Sequence, residues 1–158
     1  MVRSCLVMAA FLLGSSAVGH AADPALSVGA TEAIAVPNGA HLGMYPYVAV
    51  SLGVPVEGVA LIPGLGVEYS PDASRWGFVA TFTLDVPLSS KISGDLLIGA
   101  AHDQSGGDWD HAVLLVGGGI GISIVTENVV VSPSVSIYGA LDGSGWSLSP
   151  GLNFAHVF

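Results

Sequence analysis

The C-terminal stretch WSLSPGLNFAHVF, residues 146–158, carries the decision about the fold. Its residues alternate with period two. Trp146, Leu148, Pro150, Leu152, Phe154, His156 and Phe158 fall on one face, and Ser147, Ser149, Gly151, Asn153, Ala155 and Val157 on the other. Period two is the signature of a strand with two unlike faces. The same pattern runs back along the chain. Val129, Val131, Pro133, Val135, Ile137 and Leu141 oppose Val130, Ser132, Ser134, Ser136 and Tyr138. Further back, Trp76, Phe78, Ala80, Phe82, Leu84 and Val86 oppose Gly77, Val79, Thr81, Thr83 and Asp85.

Extended over the chain, this periodicity predicts eight strands, near 26–36, 43–54, 57–69, 75–86, 91–102, 110–125, 129–141 and 146–158. Turn residues separate them, including Pro37-Asn38-Gly39, Val54-Pro55, Ser70-Pro71-Asp72, Thr126-Glu127-Asn128 and Asp142-Gly143-Ser144-Gly145. Every connection is short, so neighbours are expected to pair antiparallel. A motif Pro-x-apolar-x-apolar recurs at Pro46, Pro63, Pro133 and Pro150, with a spacing of 17 residues within each pair. It reads as hairpin periodicity, not as a solenoid.

Composition says which solvent the apolar face meets. Of 158 residues, 51% are hydrophobic, 9% are charged and 22 are glycine. A soluble domain carries roughly 25% charged residues. Disorder needs low hydrophobicity, and a nucleic-acid surface needs more than three bases. The second face of the strands is mostly Gly, Ser, Ala and Thr, with charges gathered in turns and strand ends. Small residues fit a narrow interior better than a solvated surface. The expected fold is therefore an all-β, eight-stranded antiparallel up-and-down transmembrane β-barrel, apolar outside and small or polar within. Strands of about ten residues suit a tilted crossing. Hairpin geometry places Tyr47 opposite Gly64, Tyr45 opposite Gly66 and Tyr138 opposite Gly117, each ring filling space over a glycine.

Residues 1–22 read as a cleaved secretory signal: Arg3, then the apolar run Cys5–Gly14, then Gly19-His20-Ala21 as the cleavage context. Residues 23–158 form the single barrel domain. Cleavage removes the one cysteine, so no disulfide staples the exported chain. Twelve acids then face only Arg75 and Lys91.

The export signal, eight amphipathic strands and the terminal Leu152-Asn153-Phe154-Ala155-His156-Val157-Phe158 together resemble the small bacterial outer-membrane β-barrel proteins. The resemblance implies a Gram-negative outer-membrane location with both termini periplasmic. It also implies that assembly machinery reads the last strand through Leu152, Phe154 and Phe158. His156 departs from the apolar or tyrosine residue usual at that place. Tyr69, Trp76, Trp109 and Trp146, close to turns, fit the aromatic girdles of such barrels. The resulting expectation is a structural, surface-interaction or limited-permeation (porin-like) role, embedded in outer-membrane lipid, with no enzymatic activity, no cofactor and no nucleic-acid partner. Two other readings are a secreted soluble β-protein binding a partner through its apolar face, and a barrel-embedded lipid hydrolase.

Three constellations carry chemistry. The stretch from His102 to His111 holds His102, Asp103, Asp108, Asp110 and His111, which offer a divalent cation oxygen and imidazole ligands at the outer rim. Its spacing matches no defined loop, and a solvated polar turn is the simpler account. The hydrolase reading takes His102 as base, Ser105 as nucleophile and Asp103 as orienting acid. Asp85 and Asp95 lie roughly opposite each other on the inner face. Two carboxylates so placed repel, and the pair retains a proton or recruits a cation. Lys91, in the intervening turn, offers the counter-charge of an ion-paired plug, the stronger of the two readings. Glu68 has Arg75 across the next turn as its one evident partner. Two features resist a barrel: prolines inside strands, Pro63 above all, and Glu32, which strict alternation places on the lipid face unless a bulge turns it in.

Overall fold

A computed structural model describes residues 24–36, 39, 41–70, 75–103, 112–141 and 145–158. The expected signal segment lies outside the described residues. Ten strands follow in chain order: β1 (Pro24–Val36), β2 (His41–Leu52), β3 (Val54–Val56), β4 (Val59–Ser70), β5 (Arg75–Pro87), β6 (Ile92–Asp103), β7 (Ala112–Ile122), β8 (Ile124–Thr126), β9 (Val129–Ala140) and β10 (Trp146–Val157). Strand β3 continues β2 past Gly53, and β8 continues β7 past Ser123, so ten strands make eight staves. All neighbours pair antiparallel, and β10 pairs with both β9 and β1, closing the barrel.

The register fixes the barrel's dimensions. Pro24 pairs with Leu52, and one step past Ser51↔Gly64 lies Pro63. From there the pairs run Pro63↔Phe82↔Ile98↔Val116↔Gly139↔Trp146↔Val36. One circuit thus climbs from Pro24 to Val36, twelve residues along β1. At about 3.3 Å per residue and about 4.8 Å between strands, that stagger tilts the strands by roughly 45°. The backbone cylinder is then about 17 Å across, and a 13-residue strand rises about 28 Å. Membrane barrels carry an apolar band of ~25 Å.

The faces divide as the alternation expects. Leu26, Val28, Val48, Val50, Leu65, Phe82, Leu96, Ile98, Ile120, Val135 and Leu152 are exposed on the outer wall. Ser27, Thr31, Ser51, Thr83, Ser132, Ser136, Ser147 and Ser149 are buried inside. A water-soluble protein puts these two sets the other way round.

The β2–β4 hairpin differs from expectation. Its turn is Glu57-Gly58, not Val54-Pro55, because Glu57 (φ 43°) and Gly58 (φ 91°) supply the two left-handed residues of a tight hairpin turn. The register moves accordingly. Tyr47 stands opposite Glu68, while Gly64 and Gly66 face Ser51 and Ala49. Tyr47 finds its glycine on the other side, at Gly29 in β1, where an added Cβ would stand 2.7 Å from the ring. The Tyr138–Gly117 pair is as expected.

The prolines interrupt seams instead of breaking strands. The β2–β4 ladder runs only from Tyr47↔Glu68 to Ser51↔Gly64, bounded by Pro46 on one strand and Pro63 on the other. The β7–β9 ladder ends at Gly121↔Ser134, one residue before Pro133. The β1–β10 ladder skips the step at Pro150, between Thr31↔Gly151 and Ile34↔Leu148. A residue with no N–H ends or skips a ladder on one side only, and the strand stays paired on the other. Glu32 remains on the outer face beside Met44. A register irregularity exists, but it falls between Ala33 and Ile34, beyond Glu32, and does not turn it in.

The register also repeats under a half-turn. Ser51↔Gly64 corresponds to Gly121↔Ser134, and Leu61↔Leu84 to Val131↔Phe154, each seventy residues on. Val28↔Val48 corresponds to Leu96↔Gly118, and Phe82↔Ile98 to Leu152↔Ala30. The barrel is two equivalent halves, β1–β5 and β6–β10. Glu57 and Glu127, Pro63 and Pro133, and Trp76 and Trp146 occupy matching places. The 17-residue proline spacing is incidental to this larger repeat.

Candidate functional site in the barrel lumen

Side chains fill the upper lumen, toward the 37–40 and 142–144 connections. Tyr47, Val79, Leu97, Ala101, Leu115 and Tyr138 form one buried cluster. The Tyr47 hydroxyl donates to Asn153 Oδ1 at 3.0 Å, a buried bond between residues 106 apart in sequence. Glu68 is buried beside Tyr47, its register partner. The second tyrosine ring has room because Gly117 gives it a bare backbone to lie against. Eight-stranded barrels are filled in this way by their own side chains.

The lower lumen, toward the 87–91 turn, is polar. Strands β5 and β6 set Asp85 directly opposite Asp95, 2% and 4% exposed. The hydroxyls of Ser27, Ser51, Thr83, Ser93 and Ser132 are buried with no hydrogen-bond partner in the protein. Buried polar groups need partners, so this wall calls for water or an ion. The turn is held by Leu88 and Ser89 N–H groups donating to the Ile92 carbonyl, and by the Ser89 hydroxyl accepting from the Lys91 and Ile92 N–H groups. Lys91 is exposed, so the expected ion-paired plug is not formed by it.

At the upper rim, Trp76 and Trp146 are exposed on the outer wall in equivalent positions. Tyr69 packs against Trp76 with ring centroids 5.0 Å apart. The Trp146 ring covers Gly139, where a Cβ would come within 2.6 Å. Trp109 lies outside the described residues. Leu152, midway along β10, and Phe154 and Phe158, nearer its lower end, project outward, and the His156 and Phe158 rings pack at a tilt with centroids 4.8 Å apart.

The outer-rim cation ligands are not brought together among the described residues. His102 is half-buried beside Phe78 and Ala112 on the outer face, and β6 ends at Asp103. Ser105, Asp108, Asp110 and His111 lie outside the described residues. Among the described residues, no group of three or more His, Cys, Asp or Glu side chains is placed to hold a metal. Sequence reasoning missed the Tyr47–Asn153 bond, because no local pattern reports a contact across the lumen.

No family model matches the chain, and no curated protein resembles it in sequence. Solved structures do match its fold. Neisserial surface protein A aligns over 87% of this chain and 98% of its own, with a TM-score of 0.55 and 15% identity. The Yersinia pestis outer membrane protein Ail aligns over 87% and 100%, with a TM-score of 0.54 and 13% identity. The de novo designed TMB2.3 aligns over 85% and 96%, with a TM-score of 0.54 and 15% identity. The fold is that of the small eight-stranded transmembrane β-barrels. At these identities the likeness concerns the fold alone.

Proposed function

We propose that this protein is an integral outer-membrane β-barrel with a structural or surface-presenting role and no catalytic one. The observation that carries this reading is the apolar outer wall around a closed barrel whose inside is packed with its own side chains above and polar below. Monomeric soluble proteins rarely expose an apolar patch beyond ~300–600 Å², and here the whole circumference is apolar. The chain is exported on residues 1–22, and its termini face the periplasm. The last strand, through Leu152, Phe154 and Phe158, is what the assembly machinery engages. The upper cluster of Tyr47, Leu115 and Tyr138 blocks passage of solutes, leaving at most limited permeation of water and small ions.

Cell fractionation with gel migration before and after boiling tests this. The expected result is a membrane-bound protein whose unboiled form migrates apart from the boiled one. Recovery of the intact chain in the detergent-free soluble fraction overturns it and favours the secreted soluble reading. Unchanged lipid turnover in Ser105→Ala separates the barrel from a hydrolase.

A further inference from the structure

We propose that the outer wall carries a groove for one acyl chain of a zwitterionic membrane phospholipid, with His102 at the headgroup end. The inference rests on the lipid-facing reading of the wall. A groove of about 520 Å³ crosses β2, β4, β5 and β6. Its volume lies within the ~300–1,000 Å³ usual for small-molecule sites. Val50, Leu65 and Phe78, all exposed on the outer face, line it together with Ala80 and Ala100. Ala80 pairs with Leu65 on one side and with Ala100 on the other. Their two methyl groups leave the wall low between longer cross-strand pairs, Phe78↔His102 above and Phe82↔Ile98 below. Among the described residues, His102 is the one polar side chain that lines the groove, and it is half-buried there.

The register sets the direction of the groove. Each step from β2 toward β6 climbs the barrel, because a circuit in that sense ends twelve residues higher on β1. Val50 pairs with Leu65, Leu65 with Ala80 and Ala80 with Ala100, and His102 lies two residues further up β6. With strands about 4.8 Å apart, about 3.3 Å per residue and a tilt of roughly 45°, the path from Val50 to His102 is about 16 Å long and rises about 15 Å. The groove therefore runs close to the barrel axis, as lipid chains do in a bilayer. The same arithmetic puts His102 within about 2 Å of the height of Trp76, exposed at the upper rim. Such aromatics mark the membrane interface, where lipid ester and phosphate oxygens begin. An imidazole N–H at that height donates to one of those oxygens, and the groove below takes the chain. A bilayer lipid is the occupant because the groove is continuous with the lipid-facing wall. Twelve acids against three bases disfavour an anionic headgroup. In the other half-barrel, Pro150 and Glu32 take the places of Ala80 and Ala100, so a carboxylate stands where the groove has a methyl group.

The test folds the full barrel in detergent micelles, adds phosphatidylethanolamine and weighs the intact complexes by native mass spectrometry. Gel migration before and after boiling checks that each variant is folded. The expected result is one phosphatidylethanolamine retained per chain. Retention is lost in A80F/A100F, whose rings fill the groove. It falls by about two- to tenfold in H102A, which removes one hydrogen bond. It is unchanged in I120F, at the place of Val50 in the other half. Retention that survives in A80F/A100F, that is undiminished in H102A, or that is lost equally in I120F overturns the proposal. So does a dimer that A80F/A100F abolishes, which gives the groove to a second copy of the chain. A heat-modifiable barrel that retains no phosphatidylethanolamine refutes the groove and leaves the membrane barrel standing, whereas a chain soluble without detergent refutes both. Should A80F/A100F fail to fold, A100F alone is the second variant: weakened retention in it supports the groove, and unchanged retention overturns it.

Discussion

Arginine at Leu65 probes whether the outer wall faces lipid. Leu65 is the seventh residue of the twelve in β4, near the middle of the wall, and is 62% exposed. Val36 ends β1 at the upper rim and is 40% exposed. Arginine on the lipid face costs about 2–4 kcal/mol at the bilayer midplane and about 0–1 kcal/mol near the interface. Leu65→Arg is therefore expected to lower the folded-to-unfolded ratio by roughly 30- to 700-fold, with Val36→Arg lowering it no more than about fivefold. Denaturant titration in phospholipid vesicles, followed by tryptophan emission, measures both. In water the order changes, because an exposed leucine replaced by arginine on a solvated strand costs little. Equal effects at the two positions, or a Leu65→Arg chain that folds without detergent, would refute the membrane-facing wall.

Three further outcomes follow from the interior and the turns. Gly117→Val sets a Cβ 2.5 Å from that of Tyr138 and 2.6 Å from the Ile137 carbonyl oxygen, and is expected to cost about 1–3 kcal/mol in the same titration. Tyr47→Phe removes the buried bond to Asn153 and is expected to cost about 0.5–1.5 kcal/mol, with a double-mutant cycle through Asn153→Ala showing coupling of similar size. Glu57→Asn relieves a non-glycine residue at φ 43° and creates an Asn-Gly turn, so the unfolding midpoint is expected to rise, by up to about 1 kcal/mol in stability.

Much of this fold is legible in the sequence, because the physical demand on each strand is local. A residue's face follows from its parity, and parity alone puts Leu65 outside and Asp85 inside. Turn placement is less legible. Val54-Pro55 has the composition of a turn, but Glu57-Gly58 has the backbone freedom for one, and a glutamate at positive φ gives no compositional warning. A three-residue displacement of that turn, from 54–55 to 57–58, goes with a four-residue change in the partner of Tyr47, from Gly64 to Glu68, and hid the Tyr47–Gly29 contact. The prolines posed a related problem. Their effect depends on which neighbour each N–H would have faced, and that is a property of the closed sheet, not of the strand.

The half-barrel repeat shows why symmetry in a membrane barrel leaves so faint a sequence trace. The outer face asks only for apolarity, so Phe78 and Leu148, or Phe82 and Leu152, serve equally at matching places. Closure and rim geometry ask for more, and there the halves keep Glu57 and Glu127, Pro63 and Pro133, and Trp76 and Trp146. The lumen asks for the opposite. Two identical walls would set tyrosine against tyrosine and aspartate against aspartate across a cylinder about 17 Å wide. The halves instead differ where they meet inside: Tyr47 against Gly117, Glu68 against Tyr138, Asp85 against Ala155 and Thr83 against Asn153. Large residues on one wall fill space left by small ones on the other. The acidic pair spans the β5–β6 seam between the halves, while the matching β10–β1 seam carries Ala155 and Ser27, so the lumen's charge is one-sided.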